Sequence, residues 1–146
     1  MIIIITFKNT VTFTISVGGV IMVGMKRDIV IIEDDLNIAK AQQLILQGEF
    51  NVHLAHDGEA GLKKVNQIKP ALVVLDLMIP KKDGYNVCRE IRANTSLKDI
   101  KVVMVTAKNN ADDETKGLDL GADDYIMKPF EATELKHVIH QVLNKR

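Results

Sequence analysis

Three short runs in this chain, Ile29–Ile32, Leu72–Leu75 and Val102–Val105, contain no polar residue. Successive side chains of a strand point to opposite faces of its sheet, so a strand that is apolar throughout must be covered on both faces. A parallel sheet clad by helices on its two sides meets that demand. The segments between the runs supply the helices. Leu36–Gln47 carries Ile38, Ala41 and Ile45 at helical spacing, and Glu59–Ile68 carries Leu62, Val65 and Ile68 on one face. A third helix runs from the Asp83–Gly84 turn to about Ala93 through Val87, Cys88 and Ile91. Asp112–Leu120 reads as a short helix closed by Gly121. Glu131–Asn144 aligns Leu135, Val138, Ile139, Val142 and Leu143 on one stripe. Asn51–Ala55 and Tyr125–Met127 complete the strands. The expected architecture is α/β: a doubly wound, five-stranded parallel sheet with five helices.

Length and charge narrow the function. The 146 residues suit one domain. The formal net charge is zero, without the basic surplus of a general nucleic-acid or membrane binder. Cys88 is the only cysteine, so neither an intrachain disulfide nor a cysteine-based zinc site is available. His137 and His140 lie three apart on the last helix and read as a surface pair, since no third ligand accompanies them. The chain is expected to divide into an apolar extension, residues 1–24, and a domain over 25–146. The extension carries one charge, Lys8. Its stretch from Val11 to Met25 is shorter than the about 20 apolar residues of a membrane helix and is interrupted by Thr12, Thr14 and Ser16, and the extension lacks the basic opening of a signal peptide. Its β-branched bias favours extended structure. It reads either as a start upstream of a natural beginning at Met25 or as an added strand.

In sheets of this kind ligands bind outside the carboxyl ends of the strands. The first strand ends in Glu33-Asp34-Asp35, the third in Asp76, the fourth in Thr106-Ala107 and the fifth in Lys128-Pro129-Phe130. Carboxylates gathered on one rim raise one another's pKa values, and a hard divalent cation relieves the conflict. An oxygen-rich site with few protein ligands suits Mg²⁺. A carboxylate kept ionised beside the metal can act as a nucleophile in phosphoryl transfer. Lys128 and Thr106 would hold the phosphoryl oxygens by charge and hydrogen bond. One such acid at a strand end is only a loop residue; the weight lies in the joint occurrence.

The segments VIIEDD, VVLDLMIPKKDG, VVMVTA and GADDYIMKPF together resemble the motifs of response-regulator receiver domains. The spacings agree: 42 residues from Asp34 to Asp76, 30 to Thr106 and 22 more to Lys128. The resemblance covers about residues 27–146. It implies a flavodoxin-like sheet of strand order 2-1-3-4-5, with Asp76 as the phosphoacceptor and Mg²⁺ as the cofactor. The implied metal ligands are Glu33, Asp34, Asp76 and the backbone carbonyl of Met78, with Asp35 just outside the set. It makes Lys128 and Thr106 the phosphoryl-stabilising groups, Thr106 and Tyr125 a switch pair, and Ala107 the small residue beside the site. A cis peptide at Lys128–Pro129 is also implied.

The implied function is a Mg²⁺-dependent phosphoacceptor of a two-component system, not an enzyme in the ordinary sense. The implied partners are a sensor histidine kinase or histidine phosphotransfer protein, and a downstream effector or output domain. The domain itself is expected to contact neither nucleic acid nor membrane, and to be cytoplasmic. GADDYIMKPF resembles the winged-helix regulators, which dimerise through the last helix face. The position of their basic dimer residue is Val138 here, a departure from that pattern. Two other readings fit the residues less well. A haloacid-dehalogenase-type phosphatase requires a second Asp two residues after the nucleophile, where this chain has Met78. A pseudo-receiver interaction module would lack an acid or the lysine, and all are present.

Overall fold

A computed structural model describes residues 3–7, 11–16, 19–22, 26–107 and 118–145. The elements are β1 (Ile3–Phe7), β2 (Val11–Ser16), β3 (Gly19–Met22), β4 (Asp28–Ile32), α1 (Leu36–Leu46), β5 (Asn51–Ala55), α2 (Gly58–Ile68), β6 (Leu72–Asp76), α3 (Gly84–Ala93), β7 (Lys101–Ala107), β8 (Asp124–Lys128) and α4 (Ala132–Asn144). Strands β4 to β8 form one parallel sheet in the order β5-β4-β6-β7-β8, which is 2-1-3-4-5 counted from β4. Five helices were expected and four are described. The Asp112–Leu120 helix falls mainly outside the described residues, which take up again at a helical Leu118 and Asp119.

The fully apolar strands divide their side chains between two cores. Val30, Ile32, Val73, Leu75, Val102 and Met104 face one side, where Leu62 and Val65 of α2 and Val87 and Ile91 of α3 cover them. Ile29, Ile31, Leu72, Val74, Val103 and Val105 face the other, under Leu46 of α1 and Leu135, Ile139 and Val142 of α4. The alternation is the period-two geometry of a strand, and it explains why no polar residue is tolerated in these runs. Each such side chain contributes roughly 1.5–3 kcal/mol on burial. Edge strand β5 is exposed to half-buried over most of its length, in keeping with its mixed sequence NVHLA.

Aspartates cap three of the helices that follow strands. Asp35 accepts from the amides of Asn37 and Ile38, Asp57 from Ala60 and Asp83 from Asn86. Each satisfies amides that the first turn leaves unpaired. Strands β1, β2 and β3 form an antiparallel meander, and among the described residues none of them pairs with the main sheet. Its register pairs Ile3 with Ile15, Ile5 with Phe13 and Phe7 with Val11. Extended structure is what the β-branched bias of the segment favoured. Among the described residues no helix is long and apolar enough to cross a membrane.

Candidate functional site

The register of the sheet brings the strand ends together. Ile32 of β4 lies beside Leu75 of β6, so the next residues, Glu33 and Asp76, are neighbours at the carboxyl rim. Asp76 is paired in turn with Val105 of β7, which sets Thr106 one step further along. Ala107 is opposite Lys128 of β8. Lys128 reaches back toward the sheet centre, with Nζ 2.8 Å from Glu33 Oε2 and 2.7 Å from Asp76 Oδ2. Carboxylate oxygens of Glu33, Asp34 and Asp76 lie within 4.8 Å of one another. Among the described residues this is the one group of three or more acidic, histidine or cysteine side chains placed to share an ion.

Burial differs sharply within the cluster. Glu33 and Asp76 are buried, at 2% and 6% exposure, whereas Asp34 is exposed. Burial pushes the Glu33 carboxyl up to about 7; the Lys128 ammonium opposes this, and the nearby Asp76 adds to it. Burial alone would lower the Lys128 ammonium, but hydrogen bonds and charge from Asp76 and Glu33 outweigh it and hold Lys128 above its ordinary value. One lysine thus faces two buried acids, and Glu33 sits close to its protonation point near neutral pH. Such a donor set fits a hard divalent cation, which would supply the missing positive charge.

The remaining expected residues take distinct places. The Asp35 carboxylate caps α1, while its amide donates to Glu33 Oε1 at 3.2 Å. The amide of Met78 donates to Asp76 Oδ1 at 2.9 Å, and the Met78 side chain is exposed. Thr106 is buried, its hydroxyl 3.4 Å from the Ala107 carbonyl, and Ala107 is exposed. Tyr125 is half-buried and packs on the core side that carries Leu75 and Met104. The Lys128–Pro129 peptide is cis. A Cβ on Gly84 would stand 2.7 Å from the Asp76 carbonyl oxygen, so this loop closes only over a glycine.

Two features lay outside the sequence-based expectations. His56, in the loop after β5, places Nδ1 3.0 Å from the backbone carbonyl of Glu33 and so donates to it. Arg92 at the end of α3 donates to the carbonyls of Gly121, Lys98 and Ile100 and to Asp123 Oδ2. The only sequence signal for either was a polar residue within a loop or helix, which does not name a partner. His140 rests on Glu49 at 2.7 Å and against the Phe50 ring, a surface role as expected.

Residues 29–140 match the family described as the response regulator receiver domain. The chain is 42% identical over 112 residues to the DNA-binding response regulator MtrA of Mycobacterium tuberculosis, covering 76% of this chain and 48% of that protein. It therefore spans about half the length of the curated relatives it matches. A response regulator from Chloroflexus aurantiacus superposes with a TM-score of 0.79 at 30% identity, over 82% of this chain and 99% of that one. The receiver domain of NtrX from Brucella abortus superposes with a TM-score of 0.76 at 29% identity, over 82% of this chain and 100% of that one.

Proposed function

This chain belongs to the response regulator receiver domain family, and on that footing we propose that Asp76 accepts a phosphoryl group from a histidine kinase or histidine phosphotransfer protein. The observation that carries the proposal is the ring of Glu33, Asp34 and Lys128 around a buried Asp76 at the carboxyl rim. In the transfer the P–N bond of the donor phosphohistidine breaks and a P–O bond to Asp76 forms; the imidazole leaves with the electron pair and takes a proton from solvent.

The chain's own groups prepare this step. The Met78 amide and Lys128 hold Asp76 by one oxygen each, which fixes the plane of the nucleophile. Lys128 stays cationic beside the acids, and it is the group to follow the charge onto the transferred phosphoryl oxygens. Thr106, the next residue after the strand partner of Asp76, is assigned to the same oxygens through its hydroxyl. Glu33, Asp34, Asp76 and the Met78 carbonyl are the assigned Mg²⁺ ligands. Bound Mg²⁺ would offset the crowded negative charge as the phosphoryl group approaches.

Phosphorylation adds roughly −1.5 to −2 charge at this rim. The Thr106 hydroxyl moving toward it would leave room for Tyr125 to turn inward, with the small Ala107 beside the site. An effector or output domain preferring that face would bind the phosphorylated form more tightly. Val138 packs inward against the core rather than offering a charge to a second copy, so a homodimer formed through α4 lacks that salt bridge. The receiver is assigned to the cytoplasm, with no direct contact to nucleic acid or membrane. Residues 1–24 are assigned as an extension outside the receiver domain of 25–146.

Mass spectrometry after incubation with acetyl phosphate or phosphoramidate and Mg²⁺ tests the assignment. One phosphoryl group should be added, and Asp76→Asn should remove it. An undiminished adduct in that variant would place the acceptor elsewhere.

A further inference from the structure

We infer that His56, Asp57 and Gly58, where β5 passes into α2, are positioning residues that set the spacing between the two sides of the acidic site. The inference rests on the phosphoacceptor reading of Asp76. One side of the site is β4 with Glu33 and Asp34. The other is Asp76 with the loop of residues 77–83. Among the described residues the loop is tied to the sheet at its start, where the Leu77 amide donates to the Val105 carbonyl of β7 at 3.1 Å. No strand hydrogen bond among those residues ties it to β4, so its spacing from Glu33 and Asp34 depends on contacts beyond the β4–β6 ladder.

The β5–α2 junction touches both sides. Toward β4, His56 Nδ1 donates to the Glu33 carbonyl at 3.0 Å. One turn on, a Cβ at Gly61 would stand 2.4 Å from Ile32 Cδ1, so α2 is seated directly on β4, the strand that leads into Glu33. Toward the loop, the Gly58 amide donates to the Pro80 carbonyl at 3.3 Å. A Cβ at Gly58 would fall 2.0 Å from the Lys82 carbonyl oxygen. That overlap is with backbone, which cannot swing aside as a side-chain tip can. Lys81 Nζ meets Asp57 Oδ2 at 3.0 Å, while Asp57 Oδ1 caps α2 through the Ala60 amide at 2.8 Å.

The loop shows the effect of this bracing. Lys81 has φ of 65°, a left-handed conformation that a residue with a Cβ rarely holds without support. The Lys82 amide on the Pro80 carbonyl at 2.8 Å closes a tight turn about Lys81, and the ion pair to Asp57 ties the side chain of that turn to the start of α2. The far end of the loop is pinned by the Gly84 amide on the Leu77 carbonyl at 3.2 Å and by the Lys82–Glu90 ion pair. Met78 lies between the two anchors. A metal ligand drawn from a loop backbone is only as well placed as the loop, so residues that fix the loop tune the site without touching the ion.

The test is Mg²⁺ titration of the full chain, followed by amide chemical shifts of residues 76–84, with thermal unfolding run on the same samples. Gly58→Ala should weaken Mg²⁺ binding by about tenfold, the scale of lost outer support at a metal site. Lys81→Met should weaken it by about threefold, the reach of an exposed ion pair. Asp57→Ser keeps a capping oxygen and loses the charge, so it should match Lys81→Met, and the double variant should be no worse than either alone. A lowered unfolding temperature with wild-type Mg²⁺ affinity would mean a merely structural role and overturn the inference. Should Gly58→Ala fail to fold, the other two variants decide, because Lys81 is exposed and Asp57→Ser keeps the cap. Phosphorylation of the wild type at Asp76 is measured in parallel. If it occurs and the variants bind Mg²⁺ normally, the positioning role alone falls; if the wild type takes neither Mg²⁺ nor phosphoryl, the reading of the site falls and takes this inference with it.

Discussion

Arg92 and Lys128 are both partly buried cations tied to acids at an end of the same sheet, and their surroundings differ in one respect. Arg92, at the amino end, sends its donors to three backbone carbonyls and to one carboxylate, Asp123. Asp123 in turn accepts the Val102 amide and lies near Lys101. There the carboxylate is matched by cations and by an amide. At the carboxyl end, among the described residues, buried Glu33 and Asp76 each accept one amide, from Asp35 and Met78, but share a single cation, Lys128, with Asp34 alongside. The amino end uses charge to tie loops to the sheet. The carboxyl end keeps an acid surplus that stability alone would not favour, and there the Glu33 carboxyl is raised first by its burial and further by the neighbouring Asp76.

Breaking the balanced end should cost the most stability. Arg92→Met removes the guanidinium from three carbonyls and from Asp123, which keeps the Val102 amide and Lys101, and should lower the unfolding free energy by roughly 2 kcal/mol, discounted because the pair is about a quarter exposed. Urea denaturation measures this. Mg²⁺ affinity should stay near wild type; a large loss would mean that the two ends are coupled.

The unbalanced end should show itself through pH. The Glu33 carboxyl titrates near 4.5 when unfolded and about 7 when folded. Between those values the folded chain binds more protons than the unfolded one, so this group's contribution to stability falls as pH rises. Without Mg²⁺ the chain should melt higher at pH 5.5 than at pH 8, and Glu33→Gln should flatten the difference. Mg²⁺ should recover stability most at the higher pH, where the acid is ionised. An identical pH profile in wild type and Glu33→Gln would remove Glu33 from the account.

A finer division runs through the acids of the loop after β4. Asp34→Ala should weaken Mg²⁺ binding more than Asp35→Ala. Asp35→Ala should instead cost about 1 kcal/mol of stability through the lost cap on α1. The reverse order in a Mg²⁺ titration would shift the ligand assignment by one residue.

The smallest effect is expected from the separate meander. A chain beginning at Met25 should fold and accept phosphate as the full chain does, because the described β1–β3 share no strand pairing with the main sheet. A large drop in melting temperature on truncation would show that the meander packs on the receiver and belongs to its core.

Much of the site is legible in the amino-acid sequence. Apolar runs that must be buried locate the strands, and the residues directly after them are Glu33, Asp34, Asp76, Thr106 and Lys128. Their meeting at one rim follows from parallel strand order. The roles within EDD are harder to read. Local sequence does not say that Glu33 turns into the rim while Asp35 bends back to its own helix, since three acids in a row share one chemistry. The helix of Asp112–Leu120 is read from pattern and lies mainly outside the described residues.

The sequence by itself determined which segments are strands and helices and which chemistry stands at the strand ends, because both depend on patterns a few residues long: alternation, apolar runs, caps and turns. Only the tertiary structure decided which charges meet. Lys128 and Glu33 are 95 positions apart and Arg92 and Asp123 are 31 apart. Nothing local distinguishes the lysine that faces two buried acids from the arginine that saturates a loop. That choice is made when strand order, register and helix seating bring distant residues within hydrogen-bonding distance, where burial and the count of opposite charges set each group's protonation and its use.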